Sequence, residues 1–304
     1  MGARPTRRRS SLAAALLVGL AALAACGDDP EPASIPAGSG PAVTATADVT
    51  APPSPTAEPT PAPSEAGGGV YLALGDSVTF GVGAPEPSRQ GYPARLLERL
   101  RDGEPEIDEL RVFAVPGETA SGFLERRTDD VEAAIADLGE RVELVTIGLG
   151  ANEVLRIRRD PSCREDRAAP ECRRIATDAA EEAAAALDGV VDRVAAALSA
   201  AGSDAPILLL AYYNPDVEPV AVATIVGADG VVACDPDDPA PGLNDRIACI
   251  AERRGTGLVD LYAAFLGREQ ELTRIGGGDV HPNRAGYRVI AEAIEAVVRR
   301  DAGG

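Results

Sequence analysis

A serine followed about two hundred residues later by the chain's one histidine is a pairing capable of acyl chemistry. Ser77 ends the run Leu72-Ala73-Leu74-Gly75-Asp76-Ser77, and His281 sits in Gly278-Asp279-Val280-His281-Pro282-Asn283. A serine hydroxyl is a weak nucleophile at neutral pH until a positioned base takes its proton, and imidazole is the usual base. With one histidine among 304 residues, the base of any such mechanism is identified in advance. By itself Gly75-Asp76-Ser77 also fits a plain turn in which Asp76 caps the following helix.

The elements that would position these residues alternate. Short apolar runs at Val70 to Leu74, Leu110 to Val115, Val142 to Ile147, Pro206 to Tyr213 and Gly257 to Leu261 predict five strands. Helical spacing of apolar residues predicts helices over 92–101, 119–138, 176–201, 244–254 and 284–299. Alternating strands and helices argue an α/β fold, a mostly parallel sheet covered on both faces by helices. In such sheets ligands bind beyond the carboxyl ends of the strands. Gly75-Asp76-Ser77, Pro116-Gly117 and Gly148 to Glu153 fall at such ends, and His281 lies in a loop before the last helix, which can return to the same edge.

Taken together, four segments resemble the SGNH/GDSL hydrolase family. Tyr71-Leu72-Ala73-Leu74-Gly75-Asp76-Ser77-Val78-Thr79-Phe80-Gly81 looks like its first block. Ala114-Val115-Pro116-Gly117-Glu118-Thr119 is similar to the second, Gly150-Ala151-Asn152-Glu153 to the third and Asp279-Val280-His281-Pro282 to the last, in family order. The resemblance implies a flavodoxin-like three-layer α/β/α sandwich with a five-stranded sheet. It also implies Ser77 as nucleophile and His281 as general base. The oxyanion hole would be built from the backbone N–H groups of Ser77 and Gly117 and the side-chain amide of Asn152. Attack on an ester puts negative charge on its carbonyl oxygen, and donors fixed in advance stabilise that charge. Gly117 has no side chain to obstruct its N–H, and Asn152 offers uncharged donors. Two positions depart from the family pattern. The acid three residues before the histidine is replaced by Gly278, leaving Asp279, two before, as the expected orienting acid, with a backbone carbonyl as the alternative. Glu153 stands where the family has Asp, a change expected to leave Asn152 untouched.

The ends add a compartment. Arg4, Arg7, Arg8 and Arg9 precede an apolar run from Leu12 to Ala25, the layout of a secretory signal. Leu23-Ala24-Ala25-Cys26 resembles the bacterial lipobox, which implies that Cys26 becomes the acylated N-terminus. Arg8-Arg9-Ser10-Ser11-Leu12 partly resembles a twin-arginine signal; a plain basic start is the simpler reading. Residues 26–67 are rich in Pro, Ala and Thr with no apolar periodicity, the composition of an extended tether of up to ~120 Å. Residues 68–304 are then a single hydrolase domain, and the expected location is extracytoplasmic, on the membrane through the lipid alone.

Every basic residue is arginine; there are 29 against 48 acids, for a net charge of −19. So acidic a body is repelled by nucleic acid and by anionic lipid. Cys163, Cys172, Cys234 and Cys249 remain after Cys26, an even number that in an exported protein reads as two disulfides. Local pairing, Cys163 with Cys172 and Cys234 with Cys249, is the expected one of three. A metal site is the rival reading, weakened because no spacing is C-x-x-C and the histidine has another use.

The expected activity is hydrolysis of a carboxylic ester by a monomer with no cofactor and no metal. The substrate is a small-molecule, lipid or acylated-glycan ester. An acyltransferase on the same scaffold and a non-catalytic surface binding lipoprotein are the alternatives, the latter disfavoured because Ser77, Gly117, Asn152 and His281 are all present. Residues 156–173 read as an arginine-rich stapled loop and 214–240 as an irregular insertion, both bordering the pocket. Tyr212, Tyr213 and Phe265 read as core aromatics. With 3% aromatics and no Trp, a sugar-stacking groove has little support.

Overall fold

All five apolar runs become strands. The computed structural model describes residues 68–101, 106–166, 168–214, 231–235, 237–238 and 241–301. The expectations for the signal, Cys26, the tether and most of the 214–240 insertion therefore lie outside the described residues. The strands are β1 (Gly69–Gly75), β2 (Ile107–Ala114), β3 (Val142–Gly148), β4 (Ile207–Ala211) and β5 (Gly257–Asp260). They form one sheet in the order β2-β1-β3-β4-β5, with every neighbouring pair parallel. The order reverses between β1 and β3, whose ends Gly75 and Gly148 are register partners. Such a switch point opens a crevice at the carboxyl edge, because the connections leave to opposite sides.

The helices are α1 (Ser77–Phe80), α2 (Pro87–Gln90), α3 (Tyr92–Leu100), α4 (Ala120–Arg126), α5 (Thr128–Leu138) and α6 (Ala151–Arg156). Beyond them come α7 (Pro161–Glu165), α8 (Pro170–Ala201), α9 (Leu243–Arg254), α10 (Leu261–Phe265), α11 (Glu269–Leu272) and α12 (Arg284–Asp301). Side chains on a strand alternate between faces. Val70, Leu72 and Leu74 of β1 therefore enter one core with Phe123, Val131, Val190, Val194 and Ile247 from α4, α5, α8 and α9. Tyr71 and Ala73 enter the other with Leu96, Phe265, Tyr287 and Ile294 from α3, α10 and α12. β1 is buried along its whole length, so the strand that delivers Ser77 is held from both faces. Burial of each large apolar side chain contributes roughly 1.5–3 kcal/mol.

Three features differ from the sequence expectations. The segment 156–173 is stapled by Cys163–Cys172, as expected, but it is largely helical rather than a loop. Asp160 accepts the Ser162 N–H at 2.9 Å and Pro161 opens α7, while Pro170 opens α8 six residues before the expected start. Proline at a first helical position loses no hydrogen bond and presets φ, a signal that the arginine-rich composition masks. The helix expected over 119–138 is two, because the chain departs from helical geometry at Arg127. His281 lies on a strand, not in a loop: β6 (Thr273–Arg274) and β7 (Asp279–Pro282) form an antiparallel pair apart from the main sheet. The second disulfide, Cys234–Cys249, has the expected local pairing.

Candidate active site

Gly75 and Asp76 determine how the chain leaves β1. A Cβ on Gly75 would lie 2.1 Å from Thr79 Oγ1 and 2.7 Å from the Gly148 carbonyl oxygen, so a side chain there would drive apart the turn and β3. Asp76 is the N-cap of α1, its Oδ1 accepting the Val78 N–H at 2.9 Å. The cap starts the helix at Ser77 and so sets the direction of its side chain. Beneath this turn two buried hydroxyl pairs fill the polar positions: Tyr71 Oη to Thr146 Oγ1 at 2.7 Å, and Thr79 Oγ1 to Tyr92 Oη at 3.0 Å. Neither pair leaves a buried hydroxyl without a partner, which would cost about 1–3 kcal/mol.

Gly117 sits in the turn after β2 with φ at 81°, a left-handed conformation that glycine takes without strain. The Glu118 N–H closes that turn onto the Val115 carbonyl at 3.0 Å. Asn152, in the first turn of α6, donates from Nδ2 to the Glu118 carbonyl at 2.7 Å, and the same Nδ2 lies 3.4 Å from Asp76 Oδ2. The amide thus bridges the turn holding Ser77 and the turn holding Gly117. The Glu118 side chain is buried and ion-paired to Arg126 at 2.6 Å. Glu153 is buried as well, and its Oε1 accepts the Ser121 N–H at 3.2 Å. Burial pushes the Glu153 carboxyl up, against the pull of the Ser121 and Ala120 N–H groups. The substitution at this position therefore leaves Asn152 in place and puts a carboxyl under the start of α4.

The imidazole is tied to its carboxylate. His281 Nδ1 lies 2.5 Å from Asp279 Oδ1, which also accepts the His281 backbone N–H at 3.1 Å. Asp279, rather than a backbone carbonyl, orients the ring. Burial raises the Asp279 carboxyl, but the His281 N–H groups and charge and the Arg274 guanidinium, 3.6 Å away, outweigh it and hold the group below the usual carboxylate range. A Cβ on Gly83, just past α1, would be 3.2 Å from His281 Cβ, so β7 lies against the segment that follows Ser77. Tyr287 of α12 donates to the Val82 carbonyl at 2.6 Å, and Asn283 donates to the Glu271 carbonyl at 2.7 Å. Among the described residues no hydrogen bond joins Ser77 to His281; such contacts commonly tighten only when substrate is bound.

Asp76 is the most perturbed carboxyl at the site. Burial lifts it from 3.8 to about 6, against the Val78 N–H, the Tyr212 hydroxyl and the His281 charge, all of which favour the anion. Between these two values the folded protein holds a proton that the unfolded chain has released. The Asp76 contribution to stability is therefore greatest below pH 3.8 and is lost as pH rises to about 6. The total loss is on the order of 3 kcal/mol. Asp76→Asn cannot ionise and keeps a carbonyl for the Val78 cap. Calorimetry is expected to find a Tm advantage for the variant that widens from pH 4 to pH 7; a gap constant with pH would refute the argument.

Ser77, Gly117, Asn152, Asp279 and His281 therefore share one edge of the fold. Sequence reasoning missed what connects them: the buried Asp76 carboxylate, Glu153 under α4, and Tyr212 with Tyr213 just beyond β4. The available signal was a pair of tyrosines closing an otherwise aliphatic run. The insertion 214–240, expected to border the pocket, lies mostly outside the described residues.

The spore germination lipase LipC of Bacillus licheniformis is 25% identical over 228 residues, 74% of this chain and 94% of its own. The structure of the lipase Lip_vut3 from a goat rumen metagenome superposes with a TM-score of 0.56 at 24% identity, covering 75% of this chain and 97% of that one. LAE5, an alpha/beta hydrolase enzyme from the metagenome of Lake Arreo, Spain, gives a TM-score of 0.52 at 23% identity, covering 77% and 97%. Those two likenesses concern the fold. The model of the GDSL-like Lipase/Acylhydrolase family matches residues 73–289, a stretch that begins within β1 and ends within α12, so the chain belongs to that family and is a hydrolase of the lipase/esterase type.

Proposed function

We propose that the protein is an extracytoplasmic serine esterase that hydrolyses lipid or other carboxylic esters through an acyl-serine intermediate. The observation that carries this is the 2.5 Å contact between Asp279 Oδ1 and His281 Nδ1, at the edge where β1 ends and the turn to Ser77 begins. With Nδ1 committed to the carboxylate, Nε2 is the nitrogen left to take the Ser77 proton. Ser77 Oγ then attacks the ester carbonyl. The oxygen that gains charge is received by the N–H groups of Ser77 and Gly117 and by the Asn152 amide. One Asn152 N–H stays on the Glu118 carbonyl, while the other, only loosely held by Asp76, turns to the substrate. His281 returns its proton to the leaving alcohol, and water repeats the sequence on the acyl-serine. An ionised Asp76 favours the imidazolium that forms at each step.

Anchoring through acylated Cys26 and a tether over 26–67 places the domain outside the cytoplasm in this reading, and the two disulfides accord with an oxidising compartment. The expected state is a monomer. The test is a fluorophosphonate probe on the purified protein, with the adduct located by mass spectrometry. An adduct on the peptide containing Ser77 is expected; a folded protein without that adduct would overturn the assignment.

Removing the amide donor gives a smaller, graded loss. Asn152→Ala is expected to lower kcat by about 10²–10³ with KM little changed, the usual cost of one oxyanion donor. Steady-state kinetics on a short-chain ester checks this, and a loss confined to KM would assign Asn152 to ground-state binding instead.

A further inference from the structure

Tyr212 and Tyr213 are consecutive, buried, and point to opposite sides of the sheet. Strand alternation puts Tyr212 in the core under α8 and α9 and Tyr213 in the core under α10 and α12. Their hydroxyls go to the two halves of the site. Tyr212 Oη donates to Asp76 Oδ2 at 3.2 Å, the oxygen that Asn152 Nδ2 approaches. Tyr213 Oη donates at 2.8 Å to the carbonyl of Val280, the residue between Asp279 and His281. We infer that Tyr212 and Tyr213 are positioning residues that hold the two halves in register, Tyr212 the nucleophile and oxyanion half through Asp76, Tyr213 the base half through the Val280 carbonyl.

The dipeptide is rigid enough for this role. Asn244 of α9, fully buried, pairs with the Tyr212 backbone in both directions, accepting its N–H at 2.7 Å and donating to its carbonyl at 2.7 Å. Strand-like pairing therefore continues one residue past β4. The Tyr213 ring stacks on Phe265 with centroids 4.6 Å apart and an interplanar angle of 17°. Packing alone would be served by phenylalanine, since a buried hydroxyl is costly unless it finds a partner. Burial drives both phenols well above their ordinary range, so both remain donors across the working pH. A nucleophile that follows a strand of the main sheet and a base on a separate hairpin need a common reference, and this dipeptide bonds to a neighbour of each.

The inference rests on the serine-esterase reading, and one experiment separates the two. Wild type, Tyr212→Phe and Tyr213→Phe are compared by rate of fluorophosphonate labelling and by kcat and KM for a short-chain ester across pH. Each variant is expected to lose roughly ten- to a hundredfold in kcat and in labelling rate with KM held, the scale of a small misplacement of reacting groups. The groups facing Asp76 are the Tyr212 hydroxyl, the His281 ring and the hydroxyls of Tyr92, Tyr213 and Tyr287. Of the two substitutions only Tyr212→Phe removes a hydrogen bond from that carboxylate, so only it is expected to move the acid limb of the kcat profile to higher pH. Tyr213→Phe keeps the ring that stacks on Phe265 and removes one part-buried hydrogen bond, so it is expected to fold. A wild type inert to the probe overturns both readings. A wild type that labels, with both folded variants matching it or losing only KM, overturns the role of the tyrosines alone.

Discussion

Ser77→Ala and His281→Ala are each expected to lower kcat for ester hydrolysis by about a million-fold, and the double variant to lose no more than either alone. The reason is that the two groups perform one act. Without His281 the Ser77 hydroxyl keeps its proton and is a poor nucleophile; without Ser77 the imidazole has no hydroxyl to activate. The chain has no second histidine to substitute. Asp76 and Asp279 both face the ring, but neither replaces it: Asp279 is held strongly ionised and is therefore a weak base, and Asp76 is committed to the Val78 N–H and the Tyr212 hydroxyl. Residual turnover in all three variants is expected to reflect only the oxyanion donors. Steady-state rates on an activated ester decide the matter. Losses that multiply in the double variant would mean that Ser77 and His281 act independently, and the mechanism would have to be rewritten.

Asp279→Asn is expected to cost about 10⁴ in kcat while leaving KM and the fold nearly unchanged. The geometry supplies the cause. Asp279 Oδ1 accepts from both Nδ1 and the backbone N–H of His281, so the ring carries its proton on Nδ1 and keeps Nε2 free. An amide at this position can instead donate to Nδ1, which selects the other tautomer and places a proton on the nitrogen that must accept one. It also removes the charge that stabilises imidazolium. Arg274, 3.6 Å from the other carboxylate oxygen, would then face a neutral group. Nitrogen chemical shifts of the single histidine report the tautomer directly. A kcat within tenfold of wild type would show that the acid two residues before the histidine is not needed.

The central strands β1, β3 and β4 were readable because their burial is two-sided. A run such as Ile207 to Ala211 has no polar residue to blur it. The order of the strands was not legible, since pairing between distant strands leaves no local trace. Ser77 and His281 were readable because their chemistry is scarce in this chain. Asp279 was readable only in part: its place two residues before the histidine suits a turn as well, and the short strand that lets it fold back on Nδ1 depends on pairing with Thr273 and Arg274. Tyr212 and Tyr213 were correctly read as buried, but burial says nothing about where a hydroxyl points. Asp76 was read as a helix cap, which it is; its contacts with Tyr212 and Asn152 join residues 136 and 76 positions apart. The helical nature of 156–173 was hidden by its arginines, although Pro161 and Pro170 marked both starts.

Among the described residues β7, which carries the proposed base, follows all five strands of the main sheet, whereas the proposed nucleophile follows the first of them. As the chain emerges from a ribosome, Ser77, Gly117 and Asn152 arrive long before His281, the proposed base. If His281 is the base as proposed, a chain interrupted before residue 281 carries a serine without one. Under the proposed mechanism activity waits for residue 281 to be made and folded, so a copy stopped short of it is expected to leave ester bonds intact.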